Sequence, residues 1–210
     1  MTMSEPRTAA AVFDALGTDY EEAFAGSAAH RASLEQLLEV LPPHARVLDI
    51  GSGTGRPTAL TLTDAGHTVL GVDVSPVMVE IAARQVPGAE FRCVDIRELP
   101  LEDSSFDAVC VYFALLQMSR EEQADVLRLA GRVLRPGGHL ALATVPLDVE
   151  GVSGTFMGQP VEVTSFGEKE FTALVEEAGF TVLSRESNMF VPALPAAVPE
   201  PQMFLLARRR

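Results

Sequence analysis

The segment Arg46–Gly55 places the strongest constraint on what this chain can fold into, because an apolar strand runs directly into a glycine-rich turn. Val47, Leu48 and Ile50 are typical of a strand buried on both faces of a parallel sheet. Three glycines follow at alternate positions, and a backbone without β-carbons can turn sharply and lie directly against a ligand. Ligands of open α/β sheets bind beyond the carboxyl ends of the strands, so this turn predicts a binding site.

Around this turn, the hydrophobic pattern predicts strands and helices in alternation. The predicted strands are Arg46–Ile50, Thr68–Val74, Phe91–Ile96, Phe106–Phe113, His139–Val145, Phe180–Phe190 and Gln202–Arg208. Because the first five alternate with helices, they predict a parallel sheet with right-handed crossovers. The short proline-rich segment between the last two cannot hold a crossover helix, so those strands should pair antiparallel. We therefore expect an α/β fold: a Rossmann-like, doubly wound, seven-stranded sheet, mostly parallel, with an antiparallel C-terminal edge hairpin.

The length of 210 residues suits a single domain with a sizeable core. Two helices are expected within residues 1–41: the first around Thr8–Phe24, in which Gly17 can introduce a break, and the second over Ser27–Leu41. They form an N-terminal arm that either packs on the sheet or covers the glycine turn as a lid. We expect a ligand-binding core over residues 45–145. An irregular substrate-side insertion should follow over residues 147–167, and a helix plus the edge hairpin over residues 168–210.

The charge balance favours a small-molecule partner. The chain has 29 acidic and 16 basic residues, a formal net charge of −13, and we see no basic stripe. Such a charge repels nucleic acid and anionic membrane surfaces. No apolar run is long enough to span a membrane. We expect no nucleic-acid and no membrane partner, and the choice between monomer and homodimer stays open.

The two cysteines agree with a reducing compartment. Cys93 and Cys110 fall in predicted strands three positions apart in the expected sheet, roughly 14 Å at about 4.8 Å per strand. A disulfide requires α-carbons within about 7 Å, so we expect two separate buried thiols. Residues Met1–Arg7 are polar and lack a signal-peptide core. A cytoplasmic location is therefore expected.

Two aspartates at strand ends extend the site beyond the glycine turn. Asp73 ends the second predicted strand, 22 positions after Gly51, and Asp95 ends the third. A carboxylate at Asp73 can accept hydrogen bonds from both hydroxyls of a ribose. Either aspartate could instead cap the next helix. Arg56 stands where a dinucleotide-binding loop has its third glycine, so the pattern favours an adenosine without a pyrophosphate.

Five segments resemble, in order and spacing, the motifs of the class I S-adenosylmethionine-dependent methyltransferases of small-molecule type. They are Val47–Gly55, Gly71–Met78, Val94–Ile96, Phe106–Val109 and Leu134–Gly138. The resemblance runs from about residue 45 to residue 145, and the edge hairpin agrees with the seven-stranded sheet of that family. It implies S-adenosylmethionine as the cofactor and methyl transfer to a small molecule.

The resemblance also implies a set of cofactor-binding residues. They are Tyr20, Asp49, Gly51, Ser52, Gly53, Asp73, Val74, Met78, Asp95, Ile96 and Phe113. In that family, Asp49 and the glycine-turn backbone would hold the methionine end of the cofactor, and Asp73 would hold the ribose. Tyr20 lies in a stretch that resembles the N-terminal segment that closes over the cofactor.

The remaining positions would surround the adenine and the reacting end. The resemblance places Val74 and Met78 against the adenine, and Asp95 and Ile96 at its amino group and ring. Phe113 would face the cofactor near the substrate.

Apolar side chains in the segments around the expected site suit a small, partly hydrophobic acceptor. They are Phe13, Phe24, Leu116, Met118, Phe156, Met157, Phe166, Met189 and Phe190. A general base is needed only when the acceptor must lose a proton, as an alcohol or phenol does. Of the four histidines only His30 could reach the active face, and we assign no catalytic residue. No cluster of histidine, cysteine and acidic residues has metal-ligand spacing. The methylated atom, oxygen, nitrogen, sulfur or carbon, stays open.

Alternative functions on the same fold are also considered. Val111–Ala114 stands where nucleic-acid methyltransferases carry Asn/Asp-Pro-Pro-Tyr/Phe, which argues against base methylation. A protein with the fold but without transfer, such as a cyclase of secondary metabolism or a ligand-binding regulator, is the main alternative. A nicotinamide reductase is disfavoured by Gly55-Arg56 and by the edge hairpin.

Overall fold

The strands of the structure, a computed structural model that describes residues 7–195 and 197–210, form two sheets. The strands are β1 (Arg46–Ile50), β2 (Thr68–Asp73), β3 (Glu90–Cys93), β4 (Phe106–Tyr112), β5 (Leu134–Thr144), β6 (Val149–Phe156), β7 (Gln159–Ser165), β8 (Phe180–Phe190) and β9 (Glu200–Arg209). The helices are α1 (Ala9–Leu16), α2 (Thr18–Phe24), α3 (Ala28–Val40), α4 (Thr58–Asp64), α5 (Pro76–Gln85), α6 (Arg120–Val133) and α7 (Glu168–Glu177). Residues 1–6 of the predicted N-terminal arm, and Ala196 in the proline-rich segment, lie outside the described residues.

The main sheet confirms the predicted fold. Within the described residues it has seven strands in the order β3-β2-β1-β4-β5-β9-β8. The first five are parallel, whereas β9 pairs antiparallel with both β5 and β8. Strand order reverses between β1 and β4, and this switch point is where an open α/β sheet forms its ligand crevice.

Successive apolar side chains of the central strands point to opposite faces of the main sheet, and this explains why helices cover both faces. Leu48 of β1 packs in a cluster with residues of α6 and α7, whereas its neighbour Val47 packs with Leu34 and Leu37 of α3 and Leu62 of α4. All five side chains are essentially inaccessible to solvent. Burying them supplies the main apolar driving force for placing the helices, at about 1.5–3 kcal/mol for each large side chain.

The N-terminal arm breaks where the sequence predicts. Gly17 ends α1 with a φ of 50°, a conformation that glycine adopts at little cost, and α2 begins at the next residue. Ser27 then caps α3 by accepting a hydrogen bond from the His30 amide at 3.2 Å. The arm packs on α5 and on β7 through α1, and on the main sheet through α3.

Residues 147–166 are not irregular as predicted. They form the β6–β7 hairpin, an antiparallel pair whose register runs from Val149↔Ser165 to Phe156↔Gln159. Strand β6 is exposed along nearly its whole length, so its sequence carries no apolar alternation that could signal a strand. Strand β7 buries Val161 against Val12 and Leu16 of α1, which fixes the hairpin to the N-terminal arm.

Strand β3 is shorter than predicted and lies at the edge of the main sheet. It ends at Cys93, so Asp95 follows the strand in the next loop rather than ending it. Cys93 is exposed, which corrects the prediction of two buried thiols, whereas Cys110 is buried in β4. In β3 only Phe91 is partly buried, and Cys93 shares the exposure of the other residues of this edge strand.

Candidate functional site

The glycine turn follows β1 and is held by the backbone of the neighbouring strand. The amides of Gly51 and Ser52 donate to the carbonyl of Val72 at 2.8 and 3.0 Å. Gly51, Gly53 and Gly55 all have positive φ, between 51° and 80°. A β-carbon on Gly51 would lie 2.4 Å from the β-carbon of Ala114, so this position also requires glycine for space. The turn is thus a rigid backbone surface at the switch point of the sheet.

Asp73, at the end of β2, ties the turn to the next helix. Its Oδ2 accepts a hydrogen bond from the Gly53 amide at 2.9 Å, and its Oδ1 accepts one from the Ser75 amide, also at 2.9 Å. Burial raises the pKa of this carboxyl, and the backbone donors at Ser75, Gly53 and Val74 oppose that rise. Each oxygen retains a lone pair, so the carboxylate can still accept from two further hydroxyls. Asp73 therefore acts as a structural cap and keeps the capacity to bind a ribose.

A cavity of about 440 Å³, which we name the loop cavity, opens beside Asp73. Of the predicted cofactor residues, it is lined by Tyr20, Gly51, Gly53, Asp73, Val74, Asp95, Ile96 and Phe113. The residues come from the ends of β1, β2 and β4, the loop after β3 and the N-terminal arm. The topology thus brings together most of the set that the sequence singles out.

Met78 is the exception among the predicted residues near the adenine. Its side chain is fully buried in α5, and it is not among the described residues that line the cavities. Its amide donates to Ser75 Oγ at 3.0 Å as part of the helix cap. The structure places the Met78 side chain in the core beneath the site, and its contact with the adenine stays a prediction.

Asp95 is held by its own loop. It forms an ion pair with Arg97 at 2.5 Å, and its Oδ1 accepts a hydrogen bond from the Arg97 amide at 3.0 Å. The hydrogen bond from the Arg97 side chain is the main cause that lowers the pKa of Asp95. Asp95 therefore stays ionised. A ligand amino group that donates to its carboxylate would do so beside the donors of Arg97.

A second cavity, of about 280 Å³, lies on the other side of the glycine turn, and we name it the Asp49 cavity. Asp49 is 2 % exposed, and burial, followed by the charge of Asp73, raises its pKa to about 7. Its Oδ2 and the Ser52 hydroxyl have no hydrogen-bond partner among the described residues. A buried carboxylate oxygen without a donor is costly, and the ammonium group of a bound ligand would satisfy it. The Asp49 cavity therefore suits the methionine end of S-adenosylmethionine, whose ammonium group can donate to Asp49.

His30 also lines the Asp49 cavity, so the one histidine with a predicted route to the active face lies beside it. Its Nε2 is 3.1 Å from the Thr58 hydroxyl, and its ring centroid is 4.1 Å from that of Tyr112. Burial lowers the pKa of His30 to about 4. The imidazole is therefore neutral at physiological pH and acts as a packed polar wall.

A third cavity, of about 230 Å³, lies between the N-terminal arm and the β6–β7 hairpin, and we name it the hairpin cavity. Of the nine apolar residues expected around an acceptor, Phe13, Phe24, Leu116 and Phe156 line it. Met118 lines the loop cavity instead. The other four are not among the described lining residues of any of the three cavities: Met157, Phe166, Met189 and Phe190.

Two residues of the predicted set join the cavities. Tyr20 and Phe113 line all three. Phe113 follows β4 with a φ of 58°, an uncommon conformation for a residue with a side chain, and its amide donates to Ala143 at 2.9 Å. The Tyr20 ring is 5.3 Å from Phe13 and 5.0 Å from Phe24. These shared walls make the three cavities adjoining parts of one site.

Two acidic residues of the site escaped the sequence analysis. Asp14 of α1 accepts a hydrogen bond from Ser75 Oγ at 2.6 Å, which links the arm to the helix cap beside Asp73. Glu200 opens β9 and lines the hairpin cavity. Asp14 lies in the same stretch as Tyr20, which resembles the N-terminal segment that closes over the cofactor, but no role was predicted for it; Glu200 belongs to no motif. Glu200 precedes the predicted last strand by two positions and stands between prolines, and this pattern suggests only a loop.

The described residues offer no group of three or more histidine, cysteine or acidic side chains that could hold a metal ion. In the same residues, no helix combines the length and apolarity needed to cross a membrane.

Comparisons with known proteins agree with the geometry. A family model of methyltransferase domains matches residues 47–138. The chain is 30% identical over 168 residues to an uncharacterised methyltransferase of Synechocystis sp., covering 74% of this chain and 75% of that one. It is 35% identical over 185 residues to the methyltransferase GfsG of Streptomyces halstedii, covering 79% of this chain and 64% of GfsG. It spans less than two thirds of the first curated relatives that it matches.

A solved structure extends the likeness over nearly the whole fold. It is the 1,6-didemethyltoxoflavin-N1-methyltransferase of Burkholderia thailandensis, determined with 1,6-didemethyltoxoflavin and S-adenosylhomocysteine bound. The TM-score is 0.70 at 23% identity, and the match covers 98% of this chain and 92% of that one. Fold, glycine turn and family match agree: the chain belongs to the class I S-adenosylmethionine-dependent methyltransferases, with S-adenosylmethionine as its cofactor.

Proposed function

We propose that this protein transfers a methyl group from S-adenosylmethionine to a small, partly hydrophobic molecule. The observation that carries the proposal is the junction of the three cavities. Tyr20 and Phe113 border the loop cavity and the Asp49 cavity, which have the polar groups that suit the cofactor. The same two residues border the hairpin cavity, whose lining is largely apolar. A cofactor site and an apolar acceptor site therefore share one wall.

The residues present fit the two ends of the cofactor. We assign the methionine end to Asp49 and to the backbone of the Gly51–Gly53 turn, since the buried Asp49 Oδ2 lacks a donor. We assign the ribose to Asp73, and the adenine surroundings to Val74, Asp95 and Ile96. Together these residues provide acceptors for the ammonium and hydroxyl groups and apolar contact for the ring.

We expect the protein to raise the rate of transfer mainly by positioning the acceptor and keeping it away from water. When bound, S-adenosylmethionine supplies a methyl group that its sulfonium already activates. Much of the rate enhancement can then come from holding the acceptor close, aligned and away from water. The Phe13, Tyr20 and Phe24 rings of the arm and Phe156 of the hairpin lie against one another beside the junction, and we expect them to keep water from a bound acceptor.

The size of the hairpin cavity supports a small acceptor. At about 230 Å³, the cavity is smaller than the range of about 300–1,000 Å³ that is usual for small-molecule pockets. The bound 1,6-didemethyltoxoflavin of the Burkholderia relative is itself a small molecule, and this supports the same class of acceptor here.

Calorimetric titration with S-adenosylmethionine, S-adenosylhomocysteine and NADH tests the cofactor part. We expect both sulfur ligands to bind and NADH to give no signal. Failure of both sulfur ligands to bind at millimolar concentration would remove the proposal.

A screen of small aromatic and aliphatic acceptors, read out as S-adenosylhomocysteine release, tests transfer. Bound cofactor that is never turned over in such a screen would favour the alternative of a methyltransferase fold without transfer, such as a cyclase or a ligand-binding regulator.

A further inference from the structure

The hairpin cavity contains one charged group in an otherwise uncharged lining. Among the described residues that line it, Glu200 alone carries a charge, and the other polar side chains are Tyr20, Gln117 and Thr155. The rest of the wall is alanine, glycine, valine, leucine and phenylalanine. Glu200 is half-buried, and a carboxylate beside apolar side chains is stabilised by each hydrogen-bond donor it gains, so the cavity favours a ligand that brings one.

Glu200 is held in position by a buried neighbour. Gln202 is 1 % exposed, and its Nε2 donates to Glu200 Oε1 at 2.9 Å. Glu200 is the first residue of β9 and pairs with Phe190 of β8, which fixes its backbone. The Gln202 contact engages one carboxylate oxygen and leaves Oε2 for another donor. Glu200 is therefore positioned before any acceptor arrives.

The groups that face Glu200 leave its charge uncompensated. Burial raises the pKa of Glu200, against the hydrogen bond from Gln202, and no cation contributes to its shift. From the arm, the neutral phenol of Tyr20 faces the cavity, and its own pKa is raised by burial and by the negative charge of Glu200. From β8, the residue paired with Glu200 is Phe190, which does not titrate. A raised pKa makes a carboxylate a better proton acceptor near neutral pH.

We propose that Glu200 receives the hydroxyl group of an apolar alcohol or phenol in the hairpin cavity and accepts its proton during methylation. This inference rests on the proposed function and adds the acceptor class to it. A lone pair of the acceptor oxygen forms the bond to the methyl carbon, while the carbon–sulfur bond breaks and its electrons go to sulfur. The proton moves to Glu200, so a sulfonium and a carboxylate become a neutral thioether and a neutral carboxylic acid.

Binding of two matched probes tests this without depending on turnover. The protein is saturated with S-adenosylhomocysteine and titrated with 1-naphthol or with 1-methoxynaphthalene, which lacks the hydroxyl donor, from pH 4.5 to pH 8. We expect the wild type to prefer 1-naphthol by about tenfold or more at pH 8, because a donor to a carboxylate is worth more than a neutral hydrogen bond. The preference should fall as the pH decreases and Glu200 gains its proton.

Two variants sharpen the test. In Glu200→Gln the preference should shrink and lose its pH dependence, because an amide accepts a hydrogen bond but does not titrate. Glu162→Gln is the matched control, since Glu162 is an exposed carboxylate between Val161 and Val163, which line the same cavity. It should behave as the wild type. Equal S-adenosylhomocysteine affinity in all three proteins shows that the fold and cofactor site are intact.

The outcomes separate the two proposals. If S-adenosylhomocysteine does not bind the wild type, the proposed function fails and this inference fails with it. If it binds but the protein does not prefer 1-naphthol, or if the preference persists unchanged in Glu200→Gln, only the role of Glu200 is overturned.

Discussion

The carboxylate of Asp14 accepts a hydrogen bond from the hydroxyl of Ser75 at 2.6 Å, and this contact joins the N-terminal arm to the cofactor side of the sheet. Ser75 caps α5, and its amide donates to Asp73. A second contact, from Gln85 Nε2 to Glu21 at 3.0 Å, joins the arm to the end of the same helix. The arm is therefore fixed to α5 at both ends of that helix.

Removing the Asp14 contact should loosen the arm without unfolding the core. In Asp14→Ala we expect faster amide exchange in α1 and S-adenosylhomocysteine affinity lower by about three- to tenfold, since a hydrogen bond to a charged group is lost. Hydrogen-exchange mass spectrometry and calorimetry measure the two effects. Asp19→Ala, which removes an exposed carboxylate from α2, is the control. Exchange in α1 equal to that of the wild type would show that the Asp14 contact does not hold the arm in place.

Asp73→Asn should weaken cofactor binding strongly. The amide keeps one acceptor oxygen but loses the charge, and it must also serve the Gly53 and Ser75 amides. We expect S-adenosylhomocysteine affinity to fall by about a hundredfold, as two charge-assisted hydrogen bonds weaken. Calorimetry measures the change, with Asp64→Asn at the end of α4 as the control. Unchanged affinity in Asp73→Asn would contradict the site as assigned.

Asp49 should make the ligand-free protein less stable as the pH rises. Its pKa is raised from 3.8 to about 7, so the folded state retains a proton that the unfolded state releases. The stabilisation is present below pH 4 and is lost as the pH rises through about 7. Asp49→Asn should therefore gain stability relative to the wild type between pH 4 and pH 7, by up to about 4 kcal/mol.

Thermal unfolding across this pH range measures the Asp49 effect. Repeating it with S-adenosylhomocysteine should reduce the difference between the two proteins, because the ligand ammonium would stabilise the ionised carboxylate. A difference that does not depend on pH would rule out Asp49 as the titrating group.

The glycine turn offers a matched pair of substitutions. Gly51 and Gly53 both have positive φ, which costs about 1–2 kcal/mol for a residue with a side chain. A β-carbon at Gly51 would also strike Ala114, whereas one at Gly53 has no atom within 4 Å among the described residues. Gly51→Ala should therefore destabilise the protein clearly more than Gly53→Ala in chemical denaturation. Equal losses would mean that Ala114 moves aside freely.

The main sheet could be predicted because its central strands are buried. Continuous apolar runs such as those of β1 and β4, separated by turn signals, specify a parallel sheet even without contacts. The β6–β7 hairpin could not be predicted, because β6 is exposed and owes its structure to pairing with β7. The length of β3 was overpredicted for a related reason: an edge strand with one partner ends where that partner ends.

The positions of the candidate site residues could be predicted where the path of the backbone fixes them. The glycine turn, Asp73 and Asp95 follow from strand ends, whose positions in space the topology dictates. The burial of Met78 follows from its position on the inner face of α5, which the motif alone does not specify. No role was predicted for Asp14 because its partner Ser75 is 61 positions away in the sequence, and none was predicted for Glu200 because it stands between two prolines in a predicted loop.

The apolar cluster between the arm and the hairpin has a wider consequence. Its members, Val12, Leu16 and Val161 with the surrounding Phe13, Tyr20, Phe156, Met157 and Val163, all belong to those two segments, and none of these described residues lies on the main sheet. Arm and hairpin therefore share their own small core, separate from the two that stabilise the sheet. If the proposed function holds, we expect changes in the members that line only the hairpin cavity, such as Val161 and Val163, to alter which acceptors fit while the two cores of the sheet stay folded.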